Sequence, residues 1–323
     1  MNNLITTRLN SFKARPELFW GESKKPTTAE LIQRAGTVSG LTAIELNYPQ
    51  HFEGVSPFEV AKIVEENGLK ISGLAMRYDE DKFANGAFIN PDPGLREEAI
   101  QLTIDAAKLC SDLGAKNLTI WSATDGFDYP FQLDYEKAWE LQIEGLKRVA
   151  KSAPDVCMSI EYKPKEPRRF ALLDSIGTTL LAVNQVNQPN LGVTLDFCHL
   201  LMKNEYPAYS IALAITQDKL VGVHLNDGYG QLDDGLMLGS VNFWQTLEVL
   251  DYLKKQNYQG TYYFDTFPLR EDPVKECEAN IQTLNKMLEF LDGMDFEELE
   301  QARAQHDAIK LHQLFQKKLA VKL

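Results

Sequence analysis

The sequence predicts an α/β fold, a (β/α)8 TIM-type barrel with an extra C-terminal helical extension. Three observations lead there. Short apolar runs bounded by turn residues, as strands buried in a parallel sheet should be, alternate eight times with helical stretches. The chain has 323 residues, a length that one such barrel accommodates. Ligand-type side chains stand at the ends of the last four apolar runs, the end at which such barrels carry their sites. The barrel is assigned to residues 1–293 and a charged helical arm to residues 294–323.

The elements follow in order. Residues 4–12 read as a first strand, and the loop after it carries Phe19, Trp20 and Gly21. Thr27 and Glu30 form an N-cap arrangement for a helix to about residue 37. Residues 42–47 form strand two, and its loop holds Tyr48, Pro49, Gln50 and His51. Ser56-Pro57 opens a helix that Asn67-Gly68 closes, because proline suits a first helical turn and glycine a C-cap. Residues 70–76 are strand three, and the turn cluster at 90–94 precedes a long helix to about 113. Residues 117–121 are strand four. The second half repeats the rhythm, with strands at 156–162, 191–196, 220–225 and 261–265. Its helices fall at about 134–152, 172–187, 206–216, 241–256 and 273–292. One further charged helix is expected over 295–323, packed outside the barrel or reaching to another subunit.

Composition narrows the function. With 44% hydrophobic and 24% charged residues, the chain is a globular protein with a substantial core. A net charge of −13 disfavours nucleic acid and anionic membranes as partners. Four scattered cysteines, none in a CxxC pair, read as reduced thiols. No basic, apolar leader and no run of about 18 apolar residues is present. A cytoplasmic enzyme is expected.

The chemistry gathers at four strand ends: Glu161, Asp196, His224 and Asp265, spaced by 35, 28 and 41 residues. Each interval is about one strand-helix unit, so the four side chains fall on neighbouring strands at one height. Three carboxylates and an imidazole suit a divalent ion of the Mn, Co or Mg class, with Zn compatible. His199, three residues after Asp196, and Asp233 with Asp234 in the loop after strand seven suggest a second ion. Lys163 lies two residues after Glu161, hence on the same side of the strand, where an ammonium can steady a developing oxyanion. Each residue also has a plain reading taken alone. A strand-end aspartate is commonly a helix N-cap, and an isolated lysine or histidine commonly serves a salt bridge or a loop hydrogen bond. Their coincidence at one end of one barrel carries the functional reading. His306 and His312, on the terminal helix, are taken as solvated.

Five segments together resemble a known family: E-Y-K-P-K-E-P at 161–167, D-F-C-H at 196–199, H-L-N-D at 224–227, D-D-G-L-M-L-G-S at 233–240 and Y-F-D-T-F-P at 263–268. They resemble the xylose-isomerase-like TIM-barrel superfamily, and within it most the branch of bacterial L-rhamnose isomerases and related sugar isomerases. The likeness is strong over about 155–275 and architectural before that. It implies that Glu161, Asp196, His224 and Asp265 hold a structural metal, and that His199 and Asp233 hold a catalytic one. It also implies that Lys163 contacts the oxygen at C1, with Lys163 and Asp265 as the catalytic candidates. The family's further carboxylate two residues after Asp233 is Gly235 here, leaving Asp234 as a substitute or the second metal site weaker.

The implied function is metal-dependent aldose–ketose isomerisation of an unphosphorylated monosaccharide: a rhamnose-type sugar, an aldopentose or an apiose-like sugar. Manganese is the expected ion and a homo-oligomer, dimer or tetramer, the expected assembly. Trp20, Asn47, His51, Trp121 and Phe127 are candidates for the substrate wall, because aromatic faces pack on sugar C–H faces and polar groups read hydroxyls. The segment 121–131 is the loop expected to cover the site. Three alternatives stand beside it. A ketose 3-epimerase of the same superfamily would carry a glutamate rather than Asp265 on strand eight. A DNA-repair endonuclease would need more histidines and a basic groove. A non-catalytic sugar-binding barrel would not need the metal set or Lys163.

Overall fold

The computed structural model describes residues 3–320. Eight parallel strands close into a barrel in chain order: Ile5–Arg8, Ala43–Tyr48, Lys70–Met76, Asn117–Ile120, Cys157–Glu161, Leu191–Asp196, Leu220–Leu225 and Tyr262–Phe264. The first strand closes the ring by pairing with the eighth, Ile5 opposite Tyr262. Alternation along each strand sends one set of side chains into the barrel and the other toward the helices. On the fifth strand Ser159 and Glu161 share the inner side, and Ser159 bonds to Thr194 inside the barrel at 2.7 Å. Met158 and Ile160 join the apolar layer between sheet and helices, with Val193, Leu195, Val223 and Leu225 from the next strands.

Helix starts follow the expected chemistry. Thr27 and Glu30 form a reciprocal capping box on the helix Thr28–Ala35, and Asp92, Asp134 and Asp272 cap three later helices. Three local expectations change. The first strand ends at Arg8 and continues as a 3-10 turn, Leu9–Lys13. Leu9 and Phe12, three apart, are thereby buried on one side of that turn. A seven-residue helix, Phe197–Lys203, is inserted after the sixth strand, and its apolar side chains Phe197, Leu200 and Met202 are buried. The terminal segment forms two helices, Phe296–Ala304 and Ala308–Ala320, broken where His306 takes a φ of 54°. The break folds the second helix back onto the barrel's own outer layer. Phe315 stacks on Phe290 with centroids 6.3 Å apart and meets Trp244 edge-on at 5.5 Å. Arg303 pairs with Asp251 and Lys255 with Glu300. The expected helix ran on through 321–323, which lie outside the described residues.

No helix among the described residues is long and apolar enough to cross a membrane.

Candidate metal centre and substrate cavity

The register of the sheet builds the centre. Asp196 lies directly opposite His224 in the pairing of strands six and seven. Glu161 ends strand five, and Asp265 follows strand eight by one residue. His224 Nδ1 lies 3.2 Å from Glu161 Oε1, 3.8 Å from Asp196 Oδ2 and 3.9 Å from Asp265 Oδ2. These four buried residues each offer one atom, all within 4.8 Å of one another. A second group shares Asp196 and adds His199 and Asp233. There His199 Nε2 is 3.3 Å from Asp233 Oδ2, and His199 Nδ1 is 4.0 Å from Asp196 Oδ1.

Asp196 caps a helix and is also placed where a ligand would stand. Its Oδ1 accepts from the His199 backbone N–H at 3.0 Å, capping the inserted helix, and the same carboxylate joins both ligand groups. That cap presents His199 from a helix rather than from a loop. Lys163 Nζ lies 3.0 Å from both Asp233 Oδ2 and Glu166 Oε2, so it faces the same centre.

The donor set fits a divalent cation. Glu161 Oε2, His199 Nδ1, Asp233 Oδ1 and Asp265 Oδ1 are buried without a hydrogen-bond partner. Leaving such atoms unpaired is costly, and an ion bound among them relieves that cost. Oxygen-rich ligation with one imidazole matches the Mn, Co, Mg and Zn class. The same carboxylates favour positive charge at this spot. Burial opposes charging of both histidines. Glu161 nevertheless pushes His224 up to about 10, and Asp196 and Asp233 push His199 up to about 9. Burial and the neighbouring carboxylates raise Asp196 to about 7. Burial works to lower the Lys163 ammonium, but Asp233 and Glu166 outweigh it and hold the group protonated.

The four candidate ligands at strand ends, with His199, Asp233 and Lys163, thus come together. Asp234 does not join them. Its Oδ2 accepts from the Tyr229 backbone N–H at 2.7 Å, so it braces its own loop instead. Gly235 has a φ of +56°, and a Cβ there would fall 2.4 Å from the Phe267 ring. A carboxylate-bearing residue at 235 has no room without moving Phe267, which explains why the second group has three members.

A cavity of about 380 Å³ opens over the centre, lined by Glu161, Lys163, His199, Asp233 and Asp265 on one side. Asn10, Asn47, Gln50 and Trp121 line the other side, joined by Arg8, Arg77 and Phe267. Asn47 and Trp121 therefore stand where the sequence suggested, and three other candidates do not line it. Trp20 sits on a helical turn, Glu17–Trp20, that lays its ring 5.3 Å from the buried Arg34 guanidinium. Phe127 belongs to a small two-stranded ribbon and stacks on Phe170 at 5.2 Å. His51 is buried behind the wall. Its Nδ1 accepts from the Asn47 backbone N–H at 2.8 Å, so Nε2 carries the proton and donates to Asn10 Oδ1 at 3.0 Å. Burial lowers its pKa to about 3, which keeps the ring neutral. Asn10 and Asn47 each donate to Gln50 Oε1 at 3.0 Å. Of the loop 121–131, Trp121 and Ala123 face the cavity, while Tyr129 and Phe131 point to solvent.

Besides Asn10, Gln50 and Phe267, sequence reasoning missed other contributors. Arg8 and Arg77 line the cavity. Asn226 donates to Asp196 Oδ2 at 2.9 Å and to the Asp265 carbonyl at 3.1 Å, tying two ligand strands together. Asp227 accepts from the backbone N–H groups of Val241 and Asn242 at 2.8 Å and closes the loop that carries Asp233. The N-D pair that follows His224 in sequence was the available signal for the last two.

Comparison with known proteins agrees with this architecture. The sequence profile of the xylose isomerase-like TIM barrel family matches residues 34–291, so the chain belongs to that family. It is 28% identical over 218 residues to a xylose isomerase from Thermus thermophilus. That match spans 65% of this chain and 56% of the relative, so the chain accounts for little more than half of the relative's length. Among solved structures, a D-allulose 3-epimerase from Methylomonas sp. superposes with a TM-score of 0.70 at 17% identity, covering 88% of this chain and 98% of that one. A D-psicose 3-epimerase from Clostridium cellulolyticum H10 gives 0.63 at 17% identity, covering 80% and 93%. At such identities these two share the fold.

Proposed function

We propose that the protein is a metal-dependent sugar isomerase that interconverts aldose and ketose forms of an unphosphorylated monosaccharide, similar to the L-rhamnose isomerase-like branch of its family. The observation that carries this reading is the placement of the Lys163 ammonium 3.0 Å from Asp233, beside two carboxylate–histidine groups that share Asp196. Glu161, Asp196, His224 and Asp265 would hold one divalent ion, and Asp196, His199 and Asp233 a second, with manganese the proposed metal. Bound there, such ions polarise the two substrate oxygens and neutralise the charge that develops on them.

The chain's own residues supply the rest. Lys163 donates to the oxygen at C1, where negative charge develops as the carbonyl moves. Trp121 offers a flat face to the sugar's C–H groups. Gln50 Oε1 is occupied by two amide donors, so its own NH2 group is left to read a substrate hydroxyl, and Asn47 Oδ1 is left to accept from one. Orientation of an open-chain sugar by this wall fixes C1 and C2 relative to Lys163 and Asp265. A hydrogen then moves from C2 to C1, either directly as hydride or as a proton by way of an enediol, while the proton of the C2 hydroxyl passes to the oxygen at C1.

The same reading includes a cytoplasmic homo-oligomer, dimer or tetramer, in which the extension 294–323 serves as an accessory to the barrel 1–293. Incubation with a panel of neutral and acidic aldoses and Mn²⁺, followed by ketose detection, tests the proposal. Ketose formation that a chelator abolishes supports it, and no conversion of any aldose overturns it.

A second reading, ketose 3-epimerisation, has one specific support. Glu161 Oε2 and Asp265 Oδ1 are both buried without a hydrogen bond, as a pair exchanging a proton at one carbon would need to be. Inversion at C3 of a ketose, without aldose formation, would select it.

A further inference from the structure

Two arginines in the cavity have no assigned task. Arg77 follows strand three, and its guanidinium lies 4.7 Å from the centre of the Trp121 ring. Arg8 ends strand one, and its guanidinium lies 4.6 Å from the centre of the Phe267 ring. Both side chains line the cavity with Asn10, Asn47, Gln50 and Glu80, Arg8 standing next to Asp265. Among the described residues, the Arg77 guanidinium has no partner at hydrogen-bond or ion-pair distance, and the buried carboxylates Glu45 and Glu161 feel its charge from farther off. Arg8 makes one long contact, Nε to Asp265 Oδ1 at 3.6 Å, which leaves its terminal nitrogens unspent. An aromatic ring under a guanidinium fixes its position and leaves the N–H fork to meet an oxyanion.

A neutral polyol does not require this. Amides and hydroxyls meet its hydroxyl groups, and this wall already presents three amides. Two cations with free donors in one cavity are complementary to a negative group, and the fork geometry is that of bidentate carboxylate recognition. The alternative anion, phosphate, is favoured by glycine-rich loops and helix N-termini near strands seven and eight in such barrels. The arginines come instead from strands one and three.

We propose that the substrate is a sugar acid, an aldose whose far end carries a carboxylate held by Arg8 and Arg77 while C1 and C2 lie at Lys163. This rests on the isomerase reading for the reaction but not for the binding, and the test separates the two. Calorimetry on the Mn-loaded protein compares gluconate with glucitol, neither of which can be isomerised. Gluconate is expected to bind about tenfold more tightly, the scale of one charge-assisted contact. The preference should shrink severalfold in Arg77→Gln and vanish in Arg8→Gln/Arg77→Gln, while glucitol affinity holds and the melting midpoint confirms folding. Equal binding of gluconate and glucitol overturns the inference. So does a preference that survives in the double variant, since the carboxylate then sits on the metal. Tighter binding of glucose 6-phosphate than of gluconate overturns the carboxylate assignment. In parallel turnover assays, glucuronate is expected to exceed glucose in kcat/KM. Turnover of neither, with the arginine-dependent preference intact, would count against the isomerase reading alone.

Discussion

The two halves of the barrel mouth are built on opposite principles. Strands five to eight bring together carboxylates and imidazoles with buried atoms that make no hydrogen bond: Glu161 Oε2, His199 Nδ1, Asp233 Oδ1 and Asp265 Oδ1. Strands one and two bring together Asn10, Asn47, Gln50 and His51, which are linked in a continuous hydrogen-bonded wall. One half therefore offers a place for a divalent cation, whereas the other is a pre-formed wall of amides with Arg8 and Arg77 beside it. The difference teaches where each kind of substitution should act. Changes on the ligand side should remove metal and chemistry together, and changes on the wall should disturb stability and substrate fit while metal binding persists.

The largest expected effect is at Asp196, the residue common to both ligand groups. Asp196→Asn keeps the shape and an acceptor for the helix cap but removes the charge. Aldose turnover should fall at least about a thousandfold, the scale of losing a metal's charge stabilisation of several kcal/mol. Turnover within tenfold of wild type would place the chemistry elsewhere. Next is Lys163→Met, which should leave Mn²⁺ binding in place and lower kcat by about a hundredfold, as removal of one oxyanion donor does. A rise in KM with unchanged kcat would make Lys163 a simple binding residue.

The wall gives the smaller effects. His51→Asn breaks the bond that orients Asn10 and should cost about 1–3 kcal/mol in urea unfolding, with the melting gain from Mn²⁺ retained. Smaller still is its pH signature. The folded His51 titrates at about 3 rather than 6.5, so between those values the unfolded chain binds a proton that the folded chain refuses. Stability from this group is therefore full above pH 6.5 and declines as pH falls, by at most about 1.4 kcal/mol per unit. Unfolding midpoints at pH 7 and pH 5 should converge between wild type and His51→Asn; a constant gap would mean that the wild-type ring charges freely when folded.

The same contrast explains what could be read from the sequence. Asp196, His224 and Asp265 were legible because each lies within one residue of the end of a short apolar strand, and strand ends in a barrel share one height. The capping box at Thr27 and Glu30 was legible because both partners lie within one turn. The helix Phe197–Lys203 was not, since F-C-H-L-L-M is apolar almost all round and offers no polar face to set a period. Nor was the burial of His51, whose partners are a backbone N–H and an asparagine 41 residues away. Arg8 and Arg77 stayed silent because their place depends on rings distant in the chain, Phe267 and Trp121. The single terminal helix divided because a left-handed turn at His306 lets Phe315 reach Phe290, a gain visible only in three dimensions.

The central claim is that four strand ends of the second half form a divalent-metal centre. Titration of chelator-treated protein with Mn²⁺, followed by calorimetry and melting, tests it most directly. Wild type should bind at least one ion per chain and gain about 2.7 kcal/mol of stability at a hundredfold excess over Kd, whereas Asp196→Asn should bind none at the same concentrations. A wild-type protein that neither binds Mn²⁺, Co²⁺, Mg²⁺ or Zn²⁺ nor melts higher in their presence would contradict it.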